Sequence, residues 1–245
     1  MDMTPVLKLY YANCNAFLEK DLFDKGLSLV NETRKRKVLA CSKRQDQCRS
    51  LTAGLLIRYA CKELNLDYSE VYFAEGAHHK PMAEEFHFNV SHSGDFAAIV
   101  AGSTETGVDI ECLLQRFNGK RGAKRFMGIM ERCFTEAERA KIFGVSEANR
   151  QEDLKSSGKA LKEAAEGIAI SEAELMRATE LWTRKESYAK ANGAGLGMNF
   201  LDIPVLKENG FSSFHLPGGY VLSAYSDEHC KVEFPVCVQA QEMIR

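Results

Sequence analysis

A chain of 245 residues with 45% hydrophobic and 27% charged side chains is long enough to bury one large core or two modest ones. Its formal net charge is only -2, so a general attraction to nucleic acid or to an anionic membrane is not indicated, and any anion site has to be local. The eight cysteines form no CxxC pair, which argues against a zinc site or a disulfide scaffold, and the N-terminal residues show no signal-peptide or membrane-anchor pattern, so we expect free thiols in the cytoplasm.

The first part of the chain is predicted to contain a strand, helices and then three strands. Residues 6–11 are apolar and β-favouring, and a polar stretch typical of helices follows them. Apolar residues recur at helical spacing over residues 49–64, and Asn65 and Asp67 are expected to end that helix. Between residues 85 and 111 the pattern changes. FHFNV alternates, FAAIVAG is an apolar run, and GVDIE alternates again after the turn STETG.

The second part of the chain is predicted to contain helices followed by strands. FTEAERAKIFGV is helical, and the polar segment at about residues 147–170 is interpreted as an exposed insertion with helical tendency. A long helix over AELMRATELWTRKESYAKANG should end at Gly193, because glycine accepts the left-handed conformation that ends helices. Strand-like runs follow at FLDIPVL, FSSFHL, GYVLSAYS and VEFPVCV. Helices followed by strands therefore occur twice, which predicts an α+β fold of two halves, 1–112 and 113–245, rather than a doubly wound sheet.

Two carboxylates on the third of the clustered strands form a candidate metal site. Asp109 and Glu111 point to one face of the strand, while Val108 and Ile110 point to the other. Neighbouring carboxylates repel each other unless a cation joins them, and such hard oxygen ligands suit magnesium, which completes its coordination with water and substrate phosphates. The alternative is an acidic edge that faces solvent.

A second candidate group lies on the long helix. Glu186 and Lys190 stand four residues apart and share a helix face with Trp182, which lies one turn earlier. Taken alone, this is an ordinary solvated ion pair. The glycine-rich stretch NGAGLG follows at once and would let the backbone approach a ligand, but it lacks the preceding strand and following helix of a dinucleotide-binding fingerprint.

Two further groups suit phosphate oxygens. Ser91, His92 and Ser93 follow the alternating strand FHFNV, and they offer hydroxyl and imidazole groups at its end; the alternative is a histidine that is satisfied within a turn. No G-x-S-x-G motif supports a nucleophilic serine. The basic run at residues 34–37, extended by Arg49, suits a ligand with several phosphates. A solvated helix face is the alternative, and an RNA contact is disfavoured because no aromatic side chains are interleaved with the run.

Four motifs in this order resemble the signature of the Sfp-type 4'-phosphopantetheinyl transferases. They are HKP at 79–81, FNVSHSG at 88–94, GVDIE at 107–111 and LWTRKESYAKANGAGL at 181–196, within a resemblance that covers roughly residues 34–206. The resemblance implies two similar α+β halves related by a pseudo-twofold, with the active site in the cleft between them. It also implies Mg²⁺-dependent transfer of the 4'-phosphopantetheine group of coenzyme A to a serine of an apo acyl- or peptidyl-carrier protein, with release of adenosine 3',5'-bisphosphate.

The resemblance also assigns roles to individual residues. Asp109, Glu111 and Glu186 correspond to the magnesium ligands, and Glu186 and Lys190 to the catalytic pair. The residues expected to bind coenzyme A are Arg34, Lys37, Arg49, Lys80, Ser91, His92 and Lys190. His79 replaces the glycine usual before KP, and the insertion at about 147–170 is longer than in compact bacterial members.

The expected partners are coenzyme A and a carrier protein of fatty acid, polyketide or nonribosomal peptide biosynthesis. We expect a monomer that binds neither nucleic acid nor membrane. The alternative is a family member that binds coenzyme A without transferring its arm.

Overall fold

The computed structural model describes residues 5–76, 80–112, 117, 119–144, 170–193, 197–207, 209–227 and 230–245, with the backbone alone at 119–121 and 123. His79 lies outside this part of the chain, as do residues 194–196 of the glycine-rich stretch and the predicted insertion up to residue 169.

The elements before residue 112 follow the predicted order of strand, helices and strands. They are β1 (Val6–Asn13), a 3-10 helix (Cys14–Leu18), α1 (Lys20–Leu29), α2 (Glu32–Leu39), α3 (Arg44–Glu63), β2 (Phe73–Glu75), β3 (Pro81–Ala83), β4 (His87–Ser93), β5 (Phe96–Gly102) and β6 (Gly107–Glu111). Helix α3 begins before the apolar stripe, and Asn65 takes the left-handed conformation just after its end, with φ 58. Strand β4 includes the serine and histidine motif, which was predicted to follow the strand.

The later elements are mixed helices and strands. They are α4 (Gly119–Cys133), α5 (Glu136–Phe143), α6 (Glu172–Ala191), a 3-10 helix (Phe200–Asp202), β7 (Phe211–Leu216), β8 (Tyr220–Tyr225), β9 (Lys231–Val232), β10 (Val236–Cys237) and α7 (Ala240–Met243). A capping box between Ser171 and Glu174 starts α6, and Gly193 stands in the left-handed conformation after its end, with φ 64, as predicted. Mixed α+β architecture is therefore confirmed.

Two strand predictions were wrong in detail. FLDIPVL forms a 3-10 helix and a turn, because Phe200, Ile203 and Val205 are buried as separate anchors in a helical core rather than along one sheet face. A short apolar run looks the same in either setting. VEFPVCV splits into β9 and β10 on either side of Pro235, which has no backbone N–H to donate to a continuous ladder.

The strands form two main sheets and a small hairpin. In the first sheet the order is β10, β1, β5 and β4, with β9 also paired to β1; in the second it is β6, β8 and β7; and β2 pairs with β3. The last strands thus join the sheet of the first strand, while β6 joins the sheet of β7 and β8. Each main sheet therefore contains strands from both sides of the predicted boundary between residues 112 and 113. The division into two halves stays a prediction.

The two main sheets pack against each other through one shared buried cluster, and this packing positions the site. Leu9 and Val100 from one sheet share a buried cluster with Ile110 and Leu222 from the other. Strand β6 also lies directly against α6, since a Cβ on Gly107 would overlap the backbone of that helix. The carboxylates of β6 are therefore held beside the helix face that carries Glu186. None of the helices in the described ranges has both the length and the apolar composition that a membrane span requires.

Candidate functional site

One cleft of about 410 Å³ collects most of the predicted site residues. It lies where β4 and β6 meet the face of α6, and residues of α2 and α3 close it on another side. The residues that line it are Arg34, Ser50, Ala53, Val90, Ser91, His92, Asp109, Glu111, Trp182, Glu186 and Lys190. Residues far apart in the sequence are thus brought together, with the acidic strand facing the side of α6 that carries Trp182, Glu186 and Lys190.

Three alternate residues of β4, Asn89, Ser91 and Ser93, contact β6. The Asn89 carboxamide oxygen accepts a hydrogen bond from the backbone N–H of Val108 at 2.9 Å. The Ser91 hydroxyl donates to Asp109 Oδ1 at 2.7 Å, and the Ser93 hydroxyl donates to Glu111 Oε1 at 2.5 Å. This row of contacts follows from the two-residue period of both strands. The alternation of Ser91 and Ser93 is therefore the sequence signal that could have identified Ser93 as a partner of the acidic strand.

The Asp109 carboxylate is the most enclosed acidic group of the cleft. It is only 6% exposed, and Lys190 Nζ donates to its Oδ1 at 2.6 Å, besides the Ser91 hydroxyl. Lys190 Nζ also donates to Ser91 Oγ at 2.9 Å. Asp109 Oδ2 is buried and has no hydrogen-bond partner among the described residues, and an unpaired buried carboxylate oxygen is costly unless a ligand or cation takes it up.

The donor set suits a hard cation, although the described part of the chain holds no preformed metal centre. The described ranges hold no group of three or more His, Cys, Asp or Glu side chains at metal-binding spacing. Carboxylate oxygens are nevertheless the ligands that magnesium prefers, and Asp109, Glu111 and Glu186 face one cleft with one oxygen unpaired. The residues therefore fit the predicted ion, and the assignment of its three ligands remains a prediction.

Glu186 is electrostatically unusual. Burial, followed by the nearby negative charge of Asp109, raises its pKa from 4.5 to about 7; Lys190 acts in the opposite direction, and Glu111 adds a smaller rise. A carboxylate with such a pKa can both hold and release a proton near neutral pH, as general acid and base chemistry requires.

His92 faces the cleft and is open to solvent on one side. Its restricted hydration lowers the pKa of the imidazole, and the positive charges of Lys190 and Arg49 lower it further. The neutral imidazole of His92 is therefore favoured in the unliganded chain, and its ring N–H can donate a hydrogen bond to a phosphate oxygen.

Arg34 connects the cleft to a second cavity of about 450 Å³. This cavity has an aromatic wall that includes Tyr72 and Phe73, and Lys37 lies at its edge, where Nζ donates to Glu75 Oε2 at 3.0 Å. The predicted basic residues Arg34 and Lys37 thus share one cavity, and only Arg34 reaches the acidic cleft as well.

Arg49 and Lys80 lie elsewhere. Arg49 donates to the backbone oxygen of Gly94 at 2.7 Å and pairs with Asp46. Lys80 Nζ donates to the backbone oxygen of Ala191 at 3.1 Å, at the C-terminal end of α6, where exposed carbonyl groups attract cations. Neither is among the described residues that line the acidic cleft, and their assignment as coenzyme A contacts stays a prediction.

Trp182 also lines the cleft, one turn before Glu186. Its ring packs against Phe200 with centroids 5.4 Å apart and against Phe134 at 6.4 Å. The helical spacing of Trp182, Glu186 and Lys190 was the sequence signal for this placement. Ser50 and Ala53 of α3 were missed, because nothing local to that helix indicates which part of it borders the cleft.

The mixed α+β fold thus brings carboxylate, hydroxyl and ammonium groups together in one cleft. Two family models match the chain: the N-terminal model of 4'-phosphopantetheinyl transferases over residues 19–104, and the model of the 4'-phosphopantetheinyl transferase superfamily over residues 105–233. The second match covers more than half of the chain. The chain belongs to the 4'-phosphopantetheinyl transferase superfamily.

Individual relatives agree with this membership at modest identity. A phosphopantetheinyl transferase of Thraustochytrium sp. is 28% identical over 200 residues, which are 76% of this chain and 62% of that protein. The L-aminoadipate-semialdehyde dehydrogenase-phosphopantetheinyl transferase of Pongo abelii is 27% identical over 162 residues, 62% of this chain and 45% of that protein. A 4'-phosphopantetheinyl transferase of Bacillus subtilis is 26% identical over 219 residues, 87% of this chain and 83% of that protein. The match thus spans less than two thirds of the first two relatives.

Proposed function

We propose that this chain transfers the 4'-phosphopantetheine group of coenzyme A to a serine hydroxyl of an apo acyl- or peptidyl-carrier protein. The observation that carries the proposal is the meeting of Asp109, Glu186 and Lys190 in one cleft, in a chain of this superfamily. In this proposal the chain consists of two similar α+β halves, 1–112 and 113–245, related by a pseudo-twofold, and the cleft lies between them.

The shape of the two cavities supports an elongated substrate. The acidic cleft would hold the diphosphate, with Lys190, Ser91 and His92 as hydrogen-bond donors to its oxygens. The cavity beyond Arg34 would hold the nucleotide end, where Arg34 and Lys37, which both line it, would contact the 3'-phosphate. Because Arg34 borders both cavities, one molecule with charge at its middle and end can occupy both.

We propose further that Asp109, Glu111 and Glu186 hold Mg²⁺. The unpaired Oδ2 of Asp109 and the shared orientation of the three carboxylates toward the cleft support this assignment. When bound, the ion would neutralise negative charge on the phosphate oxygens. Lys190, which now pairs with Asp109, would then be available to the substrate.

The chain's own residues account for the remaining chemistry. The carrier serine oxygen attacks the β-phosphorus of coenzyme A, a bond to serine forms, and the bond from that phosphorus to the bridging oxygen breaks, so that adenosine 3',5'-bisphosphate leaves. Glu186, which faces the cleft, would take the serine proton as general base. Lys190 stabilises charge that develops on the phosphate oxygens.

The direct test is mass spectrometry of a panel of apo carrier proteins after incubation with the chain, coenzyme A and magnesium. At least one carrier should gain the mass of a phosphopantetheine group, and Glu186→Gln should remove most of this activity. Glu180→Gln is a matched control, because Glu180 lies on the same helix and pairs with Arg184 at 2.8 Å outside the cleft lining. Thermal protection by coenzyme A without modification of any carrier would instead support a binding protein that lacks transferase activity.

A further inference from the structure

A buried ion pair lies on the side of α6 that faces away from the cleft. The side chain of Lys185 is 0% exposed and that of Glu138 is 3% exposed, and Lys185 Nζ donates to Glu138 Oε1 at 2.9 Å. Lys185 Nζ donates as well to the backbone oxygen of Phe200 at 2.6 Å. Glu138 in turn uses Oε2 to accept the backbone N–H of Thr135 at 2.7 Å, in the capping box that starts α5. One lysine therefore joins α5, α6 and the 3-10 helix after α6.

Stability alone does not explain this pair. Its surroundings are apolar, with the Phe134 ring 5.5 Å from Lys185 Nζ. Removing two charges from water is costly, and replacing a buried ion pair by apolar residues of similar size is often neutral or stabilising. A lysine that donates to two fixed acceptors on different segments restricts the orientation of its helix. Lys185 therefore sets the rotation of α6 relative to α5 and to Phe200.

A short chain of contacts leads from the pair to the cleft. Lys185 holds the backbone of Phe200, whose ring packs on Trp182, and Phe134 contacts the same indole from another side. Trp182 lines the cleft one turn before Glu186, and Glu186 is the residue next to Lys185 on α6. A change in the pair is therefore transmitted both through the indole and through the rotation of the helix.

We propose that Lys185 and Glu138 act as a positioning pair, which orients Trp182 and Glu186 in the cleft. The pair does not line the cleft, so it acts through these two residues; its effect on turnover rests on the proposed transferase function. A displacement of a reacting group by about 1 Å can lower a rate by roughly 100-fold, so a small rotation of α6 is sufficient.

The test replaces the pair by apolar residues of similar size, Glu138→Leu with Lys185→Met. Trp182 is the single tryptophan of the sequence, so tryptophan emission reports on this position without a label. We expect a cooperative melt at a somewhat lower temperature than that of the wild type, because the Thr135 N–H and the Phe200 carbonyl lose their partners. We also expect a shifted Trp182 emission maximum and a kcat lowered by roughly 10- to 100-fold, with KM for coenzyme A close to the wild-type value.

The matched control is Thr179→Val. Thr179 is buried on α6 like Lys185, but its hydroxyl donates only to Leu175 O within the same helix, so emission and kcat should both stay at the wild-type values. If the double variant does not fold, Glu138→Gln, which keeps the size and an acceptor oxygen, is measured by the same criteria.

A folded variant in which either the Trp182 emission or kcat is unchanged overturns the proposal. A wild-type chain that modifies no carrier refutes the proposed function instead, and Trp182 emission still decides whether the pair orients the cleft, because it needs no turnover.

Discussion

Replacing Glu186 by glutamine should make the metal-free protein more stable at alkaline pH. Glu186→Gln keeps the size of the side chain and removes a carboxylate whose negative charge is disfavoured by burial and by Asp109. Active-site groups often cost stability in this way, because the arrangement that serves the reaction is not the one that best stabilises the fold.

The magnitude follows from the raised pKa of Glu186. A rise from 4.5 to about 7 corresponds to about 3 kcal/mol, at about 1.4 kcal/mol for each pKa unit. Because the side chain is partly open to the cleft, solvent screening reduces this value, and we expect about 2 kcal/mol in the free energy of unfolding at pH 8.

The direction with pH follows from proton binding. Below pH 4.5 Glu186 is protonated in both the folded and the unfolded chain, so the free-energy cost of its buried negative charge is absent. Between pH 4.5 and about 7 the unfolded chain loses the proton first, so wild-type stability falls relative to the variant. Above pH 7 the difference is at its full value and becomes constant.

Urea unfolding of the wild type and of Glu186→Gln in EDTA, at pH values from 5 to 8, measures this difference. Glu180→Gln removes a similar charge from the same helix but breaks its contacts with Arg184 and His215, so it should be neutral or slightly destabilising at each pH, and more so toward pH 5, where a protonated His215 can pair with Glu180. A difference between the wild type and Glu186→Gln that stays constant across this pH range would refute the electrostatic account of Glu186.

Other predictions concern the cleft and its support. Asp109→Ala and Glu111→Ala should abolish transfer and change the magnesium titration while the fold persists; wild-type rates across that titration would rule out the metal assignment. Arg34→Ala should reduce thermal protection by coenzyme A more than protection by dephospho-coenzyme A, whereas equal losses would place Arg34 away from the 3'-phosphate. Lys190→Ala should weaken both coenzyme A binding and turnover, in contrast to Glu186→Gln, which should retain appreciable binding; near-normal steady-state kinetics for both would contradict the catalytic roles. Gly107→Ala should lower the free energy of unfolding by about 2 kcal/mol or more, because its methyl group has no room between β6 and α6, and an unchanged melting curve would show that the two elements are not so tightly packed.

Local sequence pattern was sufficient to predict which face of an element each candidate residue occupies. The two-residue period of β6 placed Asp109 and Glu111 together, and the helical period of α6 aligned Trp182, Glu186 and Lys190. In the structure, residues of both faces line one cleft. The order of the motifs was also sufficient to predict the superfamily, because each motif is contiguous in the chain.

Which residues of different elements contact each other was decided by the tertiary structure alone. Ser93 meets Glu111 because two strands that share no backbone ladder are packed side by side, and Lys80 and Arg49 contact nearby backbone oxygens rather than the acidic cleft. Long flexible side chains can reach several partners, so sequence spacing does not select among them. The raised pKa of Glu186 likewise depends on burial and on a carboxylate more than seventy positions earlier in the chain. The periodicity of the sequence determines on which face of a strand or helix a side chain lies, whereas the distances between elements depend on how the whole core packs.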